Sequence, residues 1–301
     1  MKLLATVKRF AELARRYSRY PDRQALMMGR MLSETIAGKR DVRRLEDVEF
    51  QVFSQWGDDG VIQWLVRNIE FPHPTFIEFG VEDYHESNTR FLLMNNNWSG
   101  LIMDGSDKQI QRIQGEQYYW RHALTAKAAF IDKENIDSLV ASSGFDCEVG
   151  ILSVDIDGND YWVLEAIRSI DPVVLIVEYN SVFGMDRAIS VPYDPKFNRT
   201  SAHYSNLYFG ASLKAFHHLA TQRGYAFIGC TSAGNNAYFV KREHLNDQVR
   251  EVSLEEGFRE SKFRESRDQT GANTHLTGAA RLQAIRGLPV IDVETGEQEN
   301  L

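Results

Sequence analysis

Short apolar runs alternate with amphipathic segments over most of residues 75–241. The apolar runs predict strands at residues 75–80, 99–106, 122–132, 149–158 and 172–180. Between them, apolar residues recur every three or four positions, which predicts helices at residues 86–97, 107–119, 133–144 and 159–170. Repeated strand–helix alternation is typical of a parallel sheet with helices on both faces. We therefore expect an α/β fold with a doubly wound, mostly parallel sheet.

The pattern changes after the fifth predicted strand. Residues 181–209 form a long loop, residues 211–224 a helix, and the runs at 225–232 and 236–243 two strands. The turn "AGNN" between these strands predicts a hairpin. Its two strands bring the sheet to seven strands, and one of them is expected to be antiparallel to the rest.

Three regions follow from these patterns. Residues 1–52 are predicted to form an N-terminal helical extension, and residues 53–243 the α/β domain. Residues 244–301 are mostly polar and without a regular pattern, which predicts a C-terminal extension or an oligomerisation arm. The two extensions together favour a homodimer.

The first 20 residues combine six Lys or Arg residues with one Glu and a helical spacing of apolar positions. A basic amphipathic helix can bind an anionic membrane surface, so peripheral membrane contact through residues 1–20 stays open. The alternative is a helix packed on its own domain or on a second subunit, because apolar helix faces are usually buried.

Charge and cysteine content exclude several classes of protein. The net charge of −8 makes general nucleic-acid binding a poor expectation. Cys147 and Cys230 are far apart, which argues against a zinc site or a disulfide scaffold and fits a reducing compartment. No apolar run is long enough to cross a bilayer and no signal peptide is recognisable, so we expect a cytoplasmic protein.

Acidic residues end every predicted strand of the parallel set. The carboxyl ends of such strands meet at one edge of the sheet, where ligands bind near the point at which strand order reverses. Carboxylates have little use inside a buried strand, so packing alone does not explain them. The acids are Glu78, Asp104, Asp132, Asp155, Asp157 and Glu178.

Asp104 is placed to bind a ribose. It lies 24 residues after Gly80, near the spacing at which an acid accepts hydrogen bonds from both ribose hydroxyls. It could also cap the following helix. The intervening loop "VEDYHE" has no glycine and three acids, whereas a pyrophosphate normally requires a glycine-rich turn. These charges favour S-adenosylmethionine (SAM), which has no phosphate and carries a positive sulfur, over a dinucleotide.

The stretch "SVDIDGND" carries a second set of acids. Asp155 and Asp157 are two positions apart on a strand and therefore share a face. With Glu178 they could hold Mg²⁺, which prefers oxygen ligands. Carboxylates beside a cofactor, or solvated acids in a turn, are the alternative, and we assign no metal ligand.

The long loop contains the one histidine considered for catalysis. His203 could act as a general base for an acceptor hydroxyl. A hydrogen-bonded structural histidine is the competing interpretation, because the sequence provides no group that would orient His203 as a base.

Four stretches resemble the FkbM-type family of class I SAM-dependent methyltransferases. "ILSVDIDGNDYWVLEAI" is similar to that family's "K-x-D-V-E-G-x-E-x-x-V-L" segment, and "FIEFG…SNT", "GLIMDGS" and "PVVLIVEYN" are similar to its first, second and fifth strand motifs. The resemblance covers roughly residues 53–241 and implies a Rossmann-like sheet of the class I methyltransferase type. It departs from the family at "VEDYHES", where a glycine-rich turn is usual.

The resemblance implies roles for individual residues. Glu78 and Gly80 would lie against the methionine part of SAM, Asp104 against the ribose and Asp132 near the adenine. Asp155 and Gly158 would line the methyl-transfer end, and Glu178 and Asn180 would face the acceptor. The predicted cofactor-binding residues are Glu78, Gly80, Asn88, Thr89, Asp104, Ser106, Asp132, Asp155 and Gly158, and the predicted catalytic residues are Asp157, Glu178 and His203.

The sequence thus predicts a SAM-dependent O-methyltransferase that acts on a sugar, a glycan or another small molecule, as in polysaccharide modification. The alternative is a non-catalytic binding or scaffolding protein on the same fold that has lost SAM through its altered first loop. A nucleotide-sugar or NAD-dependent enzyme is disfavoured because no phosphate-binding loop is present.

Overall fold

The structure, a computed structural model, describes residues 20–145 and 147–301. The helices are α1 (Tyr20–Ala37), α2 (Asp58–Asn68), α3 (Arg90–Asn96), α4 (Asp107–Gln114), α5 (Gln117–Arg121), α6 (Ile136–Ala141), α7 (Asp160–Ala166), α8 (Arg199–Ala202), α9 (Leu213–Gln222), α10 (Leu254–Gly257) and α11 (Ala279–Ala284). The strands are β1 (Thr75–Phe79), β2 (Ser99–Asp104), β3 (Leu124–Ala128), β4 (Cys147–Val154), β5 (Ile170–Glu178), β6 (Ile189–Ser190), β7 (Tyr225–Cys230), β8 (Asn236–Lys241), β9 (Pro289–Asp292) and β10 (Gln298–Asn300).

A seven-stranded sheet forms the centre of the protein, in the order β3-β2-β1-β4-β5-β8-β7. Strands β1 to β5 pair in parallel, and β8 is antiparallel to both of its neighbours. The order reverses between β1 and β4, which creates the switch point of a doubly wound sheet. The predicted doubly wound, mostly parallel seven-stranded sheet, with its antiparallel hairpin strand, is confirmed.

The sheet is buried on both faces, as the sequence pattern requires. Strand β5 contains a continuous apolar run, and Val173 to Val177 are all buried. Along β1, Ile77 and Phe79 belong to one core cluster while Phe76 belongs to the other. Since side chains alternate along a strand, Glu78 points to the same face as Phe76.

Gly80 allows β1 to leave the sheet close to β4. Its φ of +72° is in the left-handed region, and an added Cβ would lie 1.6 Å from the carbonyl oxygen of Asp155. The two strand ends can therefore converge only if residue 80 has no side chain.

Two predicted helices differ from the observed ones for identifiable reasons. The helix predicted at 86–97 begins at Arg90, because Ser87 to Thr89 instead bind Glu78. The helix predicted at 107–119 is interrupted at Gly115 and continues as α5. In the predicted helical extension, α1 and a 3₁₀ turn at Leu45–Asp47 are the regular elements among the described residues.

The C-terminal residues pack on the α/β domain. Strand β9 pairs with β6 from the long loop and with β10, forming a three-stranded antiparallel sheet. Ile285 and Val290 join a small core with Ile189, Val191 and other loop residues. Parts of the C-terminal segment therefore belong to the same folded body, and the domain bounds at 52 and 243 stay predictions.

The predicted basic amphipathic helix at residues 1–20 lies almost entirely outside the described residues. Among the residues that are described, no helix has the length and apolar character needed to cross a membrane.

Candidate functional site

A cavity of about 540 Å³ runs along the carboxyl edge of the sheet and covers the switch point. On one side it is lined by residues after β2 and β3, among them Gly105 and Phe130. On the other side it is lined by residues after β4 and β5 and by the start of β8. This is the position at which doubly wound sheets bind their ligands.

The loop after β1 makes its turn without glycines. Glu82 and Tyr84 adopt left-handed backbone conformations, with φ of 46° and 60°. Tyr84 is fully buried, its ring lies 5.8 Å from that of Tyr118, and its hydroxyl is 2.9 Å from the Thr89 hydroxyl. The buried tyrosine thus anchors a turn that a glycine would otherwise permit.

Glu78 fastens the far end of the same loop. Its carboxylate accepts hydrogen bonds from the Ser87 hydroxyl (2.7 Å) and from the backbone N–H of Asn88 (2.8 Å) and Thr89 (3.1 Å). The Thr89 hydroxyl also donates to it. Burial raises the pKa of Glu78, and these hydrogen bonds oppose that effect. Most of its hydrogen-bonding capacity therefore holds the loop in place.

Asp104 lines the cavity from the end of β2. One carboxylate oxygen accepts from the backbone N–H of Glu82 at 2.9 Å, and the other accepts from the backbone N–H of Ser106 at 2.8 Å. Each oxygen keeps a lone pair for another donor. Asp104 therefore fixes the loop from 81 to 86 and remains able to bind a ligand with two neighbouring hydroxyls.

Three carboxylates converge beyond β4 and β5. Asp155, Asp157 and Glu178 each place one oxygen within 4.8 Å of the others. Burial and neighbouring acids raise the pKa of Asp155 and Glu178 well above their ordinary values. One oxygen of Glu178 is buried and has no hydrogen-bond partner. The cluster can therefore accept a proton or a positively charged ligand.

Arg199 partly neutralises this cluster. Its guanidinium donates to Asp157 at 2.6 Å and to the backbone carbonyl of Asn206 at 2.9 Å, and it lies 3.7 Å from the centre of the Phe209 ring. These contacts hold Arg199 against the cavity wall and orient the Asp157 carboxylate.

The turn after β4 is held by the buried acid Asp160, the first residue of α7. Asp160 accepts from the backbone N–H of Ile156 at 2.7 Å and of Gly158 at 2.8 Å, and burial raises its pKa to about 6. Gly158 packs against Phe197, where an added Cβ would lie 2.1 Å from the ring.

The cavity brings together most but not all of the predicted site residues. The predicted residues that line it are Glu78, Gly80, Asn88, Asp104, Asp155, Asp157 and Glu178. The predicted residues outside its lining are Thr89, Ser106, Asp132, Gly158 and His203.

These five residues have other contacts in the structure, which for Gly158 is the packing against Phe197. Thr89 binds Glu78, and Ser106 accepts a hydrogen bond at the start of α4. Asp132 accepts from the backbone N–H of Asn135 at 2.8 Å. The imidazole of His203 is 2.8 Å from the Ser205 hydroxyl and lies outside the cavity lining. Its assignment as a general base stays a prediction without support from this geometry.

The long loop and the C-terminal segment contribute cavity residues that were not predicted from the sequence. Arg199 and Phe209 come from the long loop, and Phe263, Glu265 and Arg281 come from the C-terminal segment. The Tyr, Asn and Arg content of the loop was a signal for Arg199 but not for Phe209. No local pattern indicated the last three, because long-range packing brings them to the cavity.

No family model and no curated protein matches this chain. Among solved structures, it is similar to the N-terminal domain of EvdMO1 with S-adenosylhomocysteine (SAH) bound, with a TM-score of 0.37 and 10% identity over 60% of this chain and 76% of that one. It is also similar to an O-methyltransferase from Bacillus cereus in complex with SAH, with a TM-score of 0.36 and 12% identity over 56% and 74% of the two chains. A SAM-dependent methyltransferase from Clostridium acetobutylicum gives a TM-score of 0.38 and 9% identity over 61% and 89%. These scores are too low to support a functional conclusion, which must come from the site.

Proposed function

We propose that this protein is a SAM-dependent methyltransferase that methylates a hydroxyl of a sugar, a glycan or another small molecule, in the manner of the FkbM-type family. The observation that supports this proposal most strongly is the acidic cavity over the switch point of the sheet. Its lining acids suit a ligand with ribose hydroxyls and a positive sulfur better than one with phosphates. Fold alone would not support this assignment.

Asp104 would hold the ribose of SAM. Its two oxygens are already oriented by the N–H groups of Glu82 and Ser106 and would accept the two ribose hydroxyl protons. On the other side of the switch point, a positive sulfonium would lower the raised pKa of Asp155 and Glu178 and so favour the ionised carboxylates that compensate its charge.

The reaction would be an in-line displacement at the methyl carbon. A bond forms between the acceptor oxygen and the methyl carbon while the carbon–sulfur bond breaks, and its electron pair stays on sulfur as SAH forms. The hydroxyl proton passes to Asp157 or Glu178. Glu178 suits this role because burial and Asp155 raise the pKa of its carboxyl. The chain mainly aligns donor and acceptor.

A divalent cation is the second cofactor that we propose to test. Asp155, Asp157 and Glu178 fit such an ion by the chemistry of their oxygens and by the unpartnered oxygen of Glu178. These three residues would hold Mg²⁺, which would supply positive charge near the acceptor hydroxyl.

The decisive experiment is calorimetric titration of the full chain with SAH, with and without Mg²⁺. We expect saturable binding at about micromolar concentration. Asp104→Ala should abolish it, whereas Asp107→Ala, at an exposed position on α4, should leave it unchanged. No heat with the wild-type protein at about millimolar SAH would refute the proposal and favour a non-catalytic binding protein.

The titration in the presence of Mg²⁺ has its own control variant. Glu178→Gln should remove any effect of Mg²⁺ on SAH binding or on methyl transfer. A Mg²⁺ effect that survives this substitution would refute the assignment of the carboxylate cluster as the metal site.

A further inference from the structure

Arg281 is a positively charged side chain that faces the cavity without an acidic partner. It lies on α11 in the C-terminal segment and lines the cavity. One guanidinium nitrogen donates to the carbonyl of Ser261 at 3.3 Å, while Nε is buried and has no hydrogen-bond partner. In the part of the chain that the structure describes, no carboxylate lies within 4.0 Å of this guanidinium.

Two other charged residues that the long loop and the C-terminal segment bring to the cavity, Arg199 and Glu265, are already paired. Arg199 binds Asp157 at 2.6 Å. Glu265 accepts from Asn206 at 3.0 Å and from Arg267 at 2.7 Å. Arg281 therefore differs from these two residues, because its guanidinium is partly buried and no ion pair offsets the free energy lost on removing the charge from water. Its lowered pKa, caused first by burial and opposed by Glu260, is consistent with this arrangement.

The contacts of α11 place Arg281 on the side of the cavity beyond β5. This helix packs against the 3₁₀ turn Ser181–Phe183, which follows β5 directly. The backbone N–H of Ser261, whose carbonyl binds Arg281, donates to the Ser181 hydroxyl at 2.9 Å. Asp104 lies on the opposite side of the switch point. Arg281 is therefore far from the proposed ribose site in the order of the sheet.

We infer that the acceptor carries a carboxylate, as in a uronic acid, and that Arg281 binds it. The inference rests on the proposed function and specifies its acceptor class. A guanidinium presents N–H donors in a fixed fork that matches a carboxylate. Phe263 lies on the same wall and is 38% exposed, which gives a sugar ring an apolar surface beside the charge.

The test compares D-glucuronate with D-glucose as calorimetric probes of the full chain in the presence of saturating SAH. We expect glucuronate to bind at about 10 mM or below and glucose to bind at least tenfold more weakly, because a hydrogen bond to a charged group contributes roughly a factor of 10 to 100. Inorganic phosphate forms a third arm, and binding of phosphate in preference to glucuronate would overturn the carboxylate assignment.

Three variants make the result specific. Arg281→Gln should weaken glucuronate binding at least tenfold and leave SAH binding unchanged, and Arg281→Lys should lose part of the affinity. Arg286→Gln, at an exposed position just after α11, should bind glucuronate like the wild type. Thermal melting of each variant shows whether the fold is retained.

Several outcomes would overturn the inference. These are equal binding of glucose and glucuronate, no binding of glucuronate, or unchanged glucuronate binding by Arg281→Gln. Loss of SAH binding in Arg281→Gln would instead assign this guanidinium to the carboxylate of the cofactor. If the wild type does not bind SAH, the proposed function fails separately, and the glucuronate comparison without SAH still tests the anion site.

Discussion

Tyr84 should be the main anchor of the loop that replaces a glycine-rich turn. Its side chain is fully buried, and its hydroxyl meets Thr89 at 2.9 Å. We consider two substitutions. Tyr84→Phe removes only the hydroxyl, whereas Tyr84→Ala removes the ring while keeping a side chain that has the same left-handed backbone restriction.

The structure gives different magnitudes for the two changes. Loss of one neutral buried hydrogen bond costs about 1 kcal/mol, so Tyr84→Phe should lower the free energy of unfolding by about that amount. Replacing a buried aromatic ring by alanine costs about 3–5 kcal/mol, because transfer free energy is lost and a cavity is left. Tyr84→Ala should also weaken SAH binding, since the anchored residues Val81 and Glu82 line the cavity.

Urea unfolding followed by circular dichroism measures both changes, and calorimetry measures SAH binding. Tyr204→Ala is the control, because Tyr204 is 40% exposed and lies outside the cavity lining, so its loss should cost less than about 1 kcal/mol. If Tyr84→Ala costs no more than this control, the loop is not anchored by Tyr84 and the reasoning is wrong.

Three further predictions follow from buried contacts. Gly80→Ala should destabilise the protein by several kcal/mol in urea unfolding, since its Cβ would lie 1.6 Å from the Asp155 carbonyl; a cost below about 1 kcal/mol would contradict the close approach. Burial raises the pKa of Asp59 and Asp160 to about 6. The folded state therefore binds more protons than the unfolded state between pH ~4 and ~6. Because of this difference, the free energy of unfolding should fall as pH rises through that window. Melts across this range should show a shallower fall for Asp160→Asn, and equal slopes would refute the assignment. Asn180→Ala should cost roughly 2–4 kcal/mol, because its side-chain amide donates to two buried loop carbonyls at 2.9 Å each; an unchanged urea midpoint would disprove that role.

The sheet could be predicted because each of its strands and turns is marked by a pattern within a short stretch of sequence. The apolar run of β5 and the hairpin at residues 225–243 show in the sequence as periodicity and turn residues. Element boundaries were less predictable where side chains serve another element. The helix predicted at residues 86–97 begins only at Arg90, because the Ser87 hydroxyl binds Glu78 instead.

The candidate site was predictable to the extent that strand ends define it. Asp104, Asp155 and Glu178 reach the cavity because each ends a parallel strand. His203 was selected for its chemistry alone, and nothing in the sequence fixes where its loop folds. Arg281 could not be found locally, since it reaches the cavity through the packing of α11 on the turn after β5.

The wall built by the C-terminal segment has a consequence for biosynthesis. All seven strands of the main sheet are complete once residue 241 has been translated, whereas α11 and β9 lie within residues 279–292. A nascent chain can thus form the sheet while Ile189 and Val191 still lack their covering partners Ile285 and Val290. Contacts between residues so far apart in sequence form slowly. A nascent chain that has not yet folded residues 279–292, or a chain terminated before them, should therefore expose an apolar surface that chaperones recognise, and its cavity should lack the wall that Arg281 lines.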